Sequence, residues 1–300
     1  ASLEKYIPVA YVSGVVGDEV YGKVAHMKEG TALLLENVRS CAEEENNVEK
    51  FAQTLASYAD FYVNDAFAVS HRAHASIVGI PKFIPKFAGL TFMEEYTELS
   101  KALAPEHPSL FILGGAKYET KAPLIEAYAE TYTNSFIGGA LANDFLKGKG
   151  YEVGESVVSP VDLSQSPLLK KENVLIPVDV LTLAGEDKRE VGSDGVMPNE
   201  KIVDVGPKTI EMLAPYIRNA RTILWNGPLG YYEGGYDEAT KACARLIAES
   251  SAFSVVGGGD TVAAIESLGL SDSFGFLSTA GGAMLEFLER GTLPGIESLL

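Results

Sequence analysis

Gly257-Gly258-Gly259-Asp260-Thr261 follows the apolar run Ser254-Val255-Val256 and precedes Val262-Ala263-Ala264-Ile265. The pattern predicts a short buried strand, a glycine turn and the opening of a helix. Glycines let the backbone approach a ligand closely, and a helix N-terminus offers unpaired N–H groups to an anion. Asp260 and Thr261 could cap that helix, or hold a metal and a phosphate oxygen. With 30 glycines in 300 residues, one triple glycine arises by chance roughly one time in three, so its company decides its meaning. Lys117 closes a similar turn, Gly114-Gly115-Ala116-Lys117, and Lys121 lies one helical turn on. Like charges at that spacing repel, and a nearby phosphate would offset the repulsion. Both could also be solvated surface lysines. Asn226 and Glu233 flank Gly227-Pro228-Leu229-Gly230, a loop stiff enough to hold a ribose or a base, although such a Glu is often only a surface carboxylate.

Arg39 and Arg72 each follow an apolar strand-like segment in an acidic protein. Arginine grips phosphate and carboxylate with two parallel hydrogen bonds. His71 and His74, three apart, would suit a metal pair, but no further His or Cys cluster accompanies them. Structural histidines that position Arg72 fit better. Trp225 reads as core beside the site.

Composition admits this chemistry. The chain is long enough for two domains or one large α/β domain, and 46% hydrophobic with 22% charged residues is a soluble globular balance. A formal net charge of −17 argues against a nucleic-acid or anionic-membrane surface, while a few converging basic groups still suit a small anion. No apolar run approaches a membrane span, and Cys41 and Cys243 form neither a disulfide framework nor a metal spacing, so a cytoplasmic location is expected. The chain opens at Ala1 with no methionine, in what reads as the tail of a helix, and is expected to be a fragment.

The elements that would position these residues are legible as periods. Apolar runs at 10–17 and 31–35 predict buried strands on either side of a weaker, charged segment at 18–29. A helix is predicted over 48–58, with Phe51, Leu55 and Tyr58 on one face, and a strand over 60–67. Residues 81–89 read as a loop with two prolines. Phe92, Tyr96, Leu99 and Leu103 give 91–104 a helical period, and the domain boundary falls on this helix. Beyond it, strand, glycine turn and helix recur at 110–117, 135–143, 222–230, 254–265 and 274–282. A strand is predicted over 174–180, a loop or short hairpin over 182–199, and helices ending at 217 and spanning 239–249. Such repetition is the mark of a parallel sheet wrapped by helices, with ligands at the carboxyl ends of its strands. Four of the turns carry paired or tripled glycines, most simply read as a phosphate cradle. The residues by themselves indicate a nucleotide-binding α/β domain.

The common nucleotide fingerprints are missing. No G-x-G-x-x-G opens a helix after a strand, no G-x-x-x-x-G-K-[ST] occurs, and the protein-kinase motif set is absent. The scattered residues instead resemble the phosphoglycerate kinase family. The matching segments are Leu35-Glu-Asn-Val-Arg39, Tyr62-Val-Asn-Asp-Ala-Phe67, His71-Arg-Ala-His-Ala-Ser76, Gly114-Gly-Ala-Lys117, Asp204-Val-Gly-Pro-Lys208, Trp225-Asn-Gly-Pro228, Gly257-Gly-Gly-Asp-Thr261 and Leu293-Pro-Gly295, in the family's order.

The resemblance implies a cytoplasmic, hinge-bending transferase of glycolysis that moves a phosphoryl group between 1,3-bisphosphoglycerate and ADP, with Mg²⁺. It implies two Rossmann-like three-layer αβα domains with parallel sheets joined by a helix, the N-terminal domain incomplete. Residues 1–90 would form the truncated glycerate-substrate domain, with 286–300 returning to it. Residues 91–105 would be the interdomain helix and 106–285 the nucleotide domain. Lys117, Gly258 and Gly281 match the catalytic positions, and Arg39, Arg72 and His71 the substrate-binding ones. Gly114, Gly115, Lys117, Lys121, Gly138, Asn226, Pro228, Glu233, Gly257, Gly258, Gly259, Asp260 and Thr261 match the nucleotide site, with Asp260 serving Mg²⁺. The implied partners are ADP or ATP and phosphoglycerate, with no nucleic acid and no membrane, in a full-length monomer.

There are departures. The family's opening Arg-Val-Asp-Phe-Asn-type and Ser-His-Leu-Gly-Arg-type motifs do not occur in this chain. Ala280, Met284, Ala140 and Thr120 stand at positions where the family usually has other residues, and an Ala replacing a turn glycine would cost affinity if it needed positive φ. A non-catalytic nucleotide-binding protein of the same family is the alternative, and a generic reductase would show NAD but not ADP affinity. The expectation is that the 300-residue chain binds ADP or ATP with very little turnover; robust kinase turnover in a coupled assay would overturn it.

Overall fold

The computed structural model describes residues 3–300. The chain divides into two compact units, one extending to Glu94 and joined by Thr292–Leu300, the other Glu95–Gly291. The smaller unit contains β1 (Val9–Tyr11), α1 (Asp18–Ala25), β2 (Ala32–Leu34), α2 (Ala42–Glu45), α3 (Glu49–Ala56), β3 (Tyr62–Asn64) and β4 (Lys86–Ala88). Its strands form two separate parallel pairs, β1 with β2 and β3 with β4. The apolar face expected on α3 is present: Phe51, Ala52 and Leu55 pack with Val15 and Ala75. The C-terminal segment is stitched to this unit by Gly295 N donating to Ser70 O at 2.8 Å and Ser298 Oγ to Ile77 O at 3.1 Å.

Several sequence expectations need correction here. The strand expected over 10–17 ends at Tyr11, because the following residues include Gly14 and a Gly17 at φ 115°, which leave the extended path. The charged segment at 18–29 contains a helix, α1, that buries Val20. The loop expected over 81–89 contains β4, three residues too short to show a period. Their strand geometry comes from pairing with β3.

Helix α4 (Leu90–Leu103) runs across the division between the units. Beyond it come β5 (Ser109–Leu113), α5 (Tyr118–Thr131), β6 (Asn134–Ile137), α6 (Gly139–Gly148), β7 (Val174–Leu175), β8 (Asp179–Ala184), β9 (Asp187–Gly192) and β10 (Lys201–Val205). They are followed by α7 (Pro207–Asn219), β11 (Thr222–Asn226), α8 (Glu238–Ala248), β12 (Phe253–Gly257), α9 (Gly259–Ser267), β13 (Phe276–Leu277) and α10 (Gly282–Arg290), with α11 (Pro294–Glu297) closing the chain. Six strands form one parallel sheet in the order β13-β12-β11-β5-β6-β7.

Side-chain alternation along β5 shows the three layers. Leu110 and Ile112 join Leu213 and Ile217 of α7 and Cys243 and Ile247 of α8 in one buried cluster. Phe111 points the other way, with its ring 4.9 Å from Tyr128 and 5.9 Å from Tyr132 beside α5. The larger unit is thus a Rossmann-like αβα sandwich. Helix α10, part of which was expected to return to the smaller unit, packs here instead, where Tyr128 Oη donates to Leu288 O at 3.0 Å.

Residues 174–205 also differ from a simple strand and loop. Only Val174–Leu175 extends the parallel sheet, and β8, β9 and β10 form an antiparallel sheet in the order β10-β8-β9. Gly185 at φ 61° turns the β8–β9 hairpin tightly enough for Ala184 to face Asp187. Arg189 clamps Glu200 at 2.8 Å through both Nε and Nη2, holding that carboxyl down to about 2.

Among the described residues no helix is long and apolar enough to cross a membrane. The smaller unit nevertheless exposes large apolar side chains on and beside its short strands: Tyr11, Leu34, Phe61, Val63 and Phe87 are each between 47% and 58% accessible. Fully covering one such side chain contributes about 1.5–3 kcal/mol, so these strand pairs favour any partner that buries them. The chain is therefore expected to self-associate as concentration rises and to bind the dye ANS. Sedimentation velocity showing a monomer at every concentration, with no dye fluorescence, would count against this.

Candidate active site

The glycine turns converge because their strands are neighbours in the parallel sheet. At the carboxyl end of β5, Gly114 N donates to Asn226 O at 2.8 Å and Gly115 N to Pro228 O at 3.0 Å. From the next strand, Gly138 N donates to Leu113 O at 2.8 Å and Gly139 N to Leu229 O at 3.1 Å. Three turns are thereby laced into one surface. A Cβ on Gly114 would lie 2.1 Å from the Pro228 carbonyl oxygen, so only glycine permits that approach. Gly258, at φ 97°, turns the end of β12 into α9.

These turns border a cavity of about 370 Å³. Gly115, Pro228, Glu233 and Asp260 all line it. Gly139 lines it where Gly138 was expected, one residue along the same turn. Val157, Pro177, Val180, Ile202 and Leu229 add apolar wall, a setting for a flat heterocycle beside a polar rim. Glu233 and Asp260 are exposed, whereas Thr261 is fully buried with its Oγ1 lacking a hydrogen-bond partner. A buried hydroxyl without a partner, on the first turn of a helix, can donate to an anion's oxygen or accept from a ligand's donor. The Asn226 amide is buried beside the Gly257 and Gly258 turn.

The two lysines differ. Lys117 is exposed and sits at φ 66°, ψ 76°, immediately before α5. Lys121 is half-buried and its Nζ donates to Gly114 O at 2.8 Å, tying α5 to the glycine turn. Burial lowers its pKa to about 8. Neither lysine lines the cavity. Gly281, at φ 52°, precedes α10. Its approach is held by Glu95 of α4, a residue the periodicity of that helix does not single out. The buried Glu95 carboxylate accepts from Ser278 Oγ at 2.7 Å and from Thr279 N at 2.9 Å.

The departures from the expected pattern have local accounts. Neither Ala280 nor Ala140 has positive φ, so neither needs a glycine's backbone freedom. Met284 is fully buried with its sulfur over Gly257, where a Cβ on that glycine would meet Sδ at 2.1 Å. Thr120 donates through Oγ1 to Lys117 O at 2.9 Å.

In the smaller unit, Arg39 is exposed and donates to Glu45 Oε1 through Nε at 3.0 Å and Nη2 at 2.8 Å. Glu45 is held below its ordinary value first by Arg39, with His74 and Arg72 adding to it, so these basic groups converge. Arg72 Nε donates to His71 Nε2 at 3.4 Å. His74 Nδ1 instead lies 3.9 Å from the buried Glu44, which accepts from Ser76 N at 2.9 Å. Among the described residues no group of three or more His, Cys, Asp or Glu could hold a metal.

Asp204, from the Asp204-Val-Gly-Pro-Lys208 segment, also lines the cavity. The register of β10 shifts between Ile202 and Asp204, and such an irregularity re-aims a side chain. Asp204 Oδ2 accepts from Ala239 N in the first turn of α8 at 3.1 Å, and Oδ1 from Val205 N at 2.9 Å. Gly230 packs against this carboxyl, leaving no room for a Cβ. Burial raises Asp204 from 3.8 to about 7. Its two backbone donors oppose the rise, and Asp237 and Glu238 add to it.

A family model described as phosphoglycerate kinase matches residues 1–291. The chain is 42% identical, over 307 aligned positions, to phosphoglycerate kinase of Dictyoglomus turgidum, covering 97% of this chain and 77% of that protein. The Pelotomaculum thermopropionicum enzyme is 41% identical over 297 positions, covering 95% and 76%. Among solved structures, phosphoglycerate kinase from Coxiella burnetii superposes with a TM-score of 0.85 at 36% identity, over 99% of this chain and 78% of that one. That from Pyrococcus horikoshii OT3 superposes with a TM-score of 0.84 at 29% identity, over 99% and 79%.

Asp204 makes a measurable signature. Its folded pKa lies above the unfolded value, so folding favours the protonated form. The stability this contributes is fully present below about pH 4 and is lost as pH rises through about 7. The urea midpoint is expected to fall over that window. In Asp204→Asn, which does not titrate, this part of the slope should vanish, and an unchanged slope would contradict the assignment.

Proposed function

The chain belongs to the phosphoglycerate kinase family, phosphotransferases with a carboxyl group as acceptor, and on that premise we propose how its residues divide the work. The reaction is reversible phosphoryl transfer between 1,3-bisphosphoglycerate and ADP, giving 3-phosphoglycerate and ATP in glycolysis. The larger unit holds ADP or ATP, and the smaller unit holds the glycerate substrate through Arg39, Arg72 and His71. The observation that carries the nucleotide assignment is the cavity bringing Gly115, Pro228, Glu233 and Asp260 to one rim. The protein is cytoplasmic, and monomeric at full length.

Within that cavity the apolar wall takes the base, Glu233 the ribose and the glycine turns the phosphates. Backbone N–H groups at the opening of α9, including those near Gly257, Gly258 and Gly259, face anions with the favourable end of the helix dipole. Thr261 Oγ1, buried without a partner, donates to a phosphate oxygen. Gly114, Gly138 and Asn226 shape the surface beneath. Lys121 acts through the Gly114 carbonyl it holds, and reaches a phosphate only by leaving that bond.

A single exposed carboxylate, Asp260, suits Mg²⁺ because that ion keeps water and takes substrate phosphate oxygens as ligands, needing no all-protein cage. When bound, Mg²⁺ supplies neutralisation of the charge spreading over the phosphates. The nucleophile in the ATP-consuming direction is the substrate carboxylate, already ionised at neutral pH, so no protein base is required. What remains for the protein is to align the reactants and to stabilise charge on the transferring group. Lys117 places an ammonium on that group, and the chain turns at Gly258 and Gly281 present backbone donors to it.

Titration calorimetry is expected to show ADP binding without NAD binding; the reverse result would refute the assignment. Lys117→Ala should lower kcat on the order of 100-fold with little change in KM for ADP, since its contact forms with the transferring group. Thr261→Val should instead weaken ADP binding about 10-fold, through one lost charge-assisted hydrogen bond. Equal effects of both substitutions on KM would contradict this division.

A further inference from the structure

We propose that Asp144 and Ser159 are positioning residues for Lys117, acting through the peptide group that follows it. Lys117 and Asn47 are the two non-glycine residues with positive φ among those described. A side-chain-bearing residue avoids this conformation unless its surroundings enforce it. Here the peptide between Lys117 and Tyr118 is fixed at both polar atoms. Its carbonyl oxygen accepts from Thr120 Oγ1 at 2.9 Å, and its N–H donates to Ser159 Oγ at 3.1 Å.

Ser159 is in turn held by Asp144, which is 4% exposed on α6. Ser159 N donates to Asp144 Oδ1 at 2.7 Å and Ser159 Oγ donates to Oδ2 at 3.0 Å. An ionised carboxylate only accepts, so the hydroxyl proton points to Asp144 and its lone pairs face the Tyr118 N–H. The polarity of the whole chain of bonds is thereby set. Asn143 ties the same loop down by donating from Nδ2 to Val157 O at 2.9 Å, and the buried Tyr118 ring packs edge-on to Phe145 at 6.0 Å. Helix α6 itself begins at Gly139 on the nucleotide rim. One helix thus carries both a phosphate-facing turn and the acid that sets the backbone of the lysine.

The inference rests on Lys117 contacting the transferring phosphoryl group, as assigned under the preceding heading. Misplacing such a contact by a fraction of an ångström costs rate more than substrate affinity. Ser159→Ala is expected to lower kcat about 10-fold while KM for ADP stays within about 2-fold, and Ser159→Thr, which keeps the hydroxyl, to restore it. Asp144→Asn, which keeps the volume and one acceptor, should give an intermediate loss. Asp162→Asn, on an exposed residue of the same loop, should leave kcat unchanged. Hydrogen exchange at the Tyr118 amide gives a readout independent of activity and should be faster in Ser159→Ala. An unaltered kcat in Ser159→Ala, with the unsubstituted chain active in the same assay, overturns the proposal. If the unsubstituted chain transfers no phosphoryl group, as its lack of the two N-terminal substrate motifs predicts, turnover does not read the relay. The Tyr118 amide then decides the relay: faster exchange supports it, equal exchange overturns it.

Discussion

The approach of Gly114 to the Gly227-Pro228 turn is the contact on which the site depends. It brings two backbones within hydrogen-bonding distance at the ends of adjacent parallel strands, β5 and β11. Any side chain there would have to occupy space already filled by a carbonyl oxygen. Because the turns touch, the openings of α5, α6 and α9 gather at one end of the sheet. The cavity exists because the sheet is parallel and its turns are small.

A second constraint runs through both units. The helices that open near the site have no cap from their own N-terminal side chains. At α5, α7 and α8 the unpaired N–H groups are met from elsewhere in the chain. Asp179, buried on β8, accepts from Lys208 N and Thr209 N at the start of α7. Asp204 reaches α8 and Asp65 reaches Phe92 N of α4. Ser159 reaches α5. Buried carboxylates are costly unless hydrogen-bonded, and Asp179 and Asp204, both buried, are satisfied chiefly by backbone donors. They fix where each helix begins, and so where each turn points.

This pattern also explains the uneven legibility of the sequence. Glycine turns after apolar runs, and helices with a single apolar face such as 48–58, are local signals carried by neighbouring residues. Asp204 carried no such signal, since its partner Ala239 is thirty-five residues away. Spacing alone leaves Lys121 as either a phosphate contact or a solvated lysine, and its bond to Gly114 O exists only because α5 folds back over the turn. Arg39 likewise gave no hint that Glu45 would take its guanidinium. Strand β4 was hidden because three residues have no period, and the pairing that makes them a strand comes from β3.

The amino-acid order determined the strand, glycine turn and helix repeats of the larger unit, the glycine cradle, and the residue types available for phosphate chemistry. It did so because periodicity and turn preference act over a few neighbouring residues. Tertiary structure alone decided the order of the six strands, the antiparallel turn taken by β8 to β10, and the partners of Lys121, Arg39, Asp144 and Asp204. Those outcomes depend on contacts between residues far apart in the chain, where hydrogen-bond geometry and burial select one partner among many that the sequence leaves equally open.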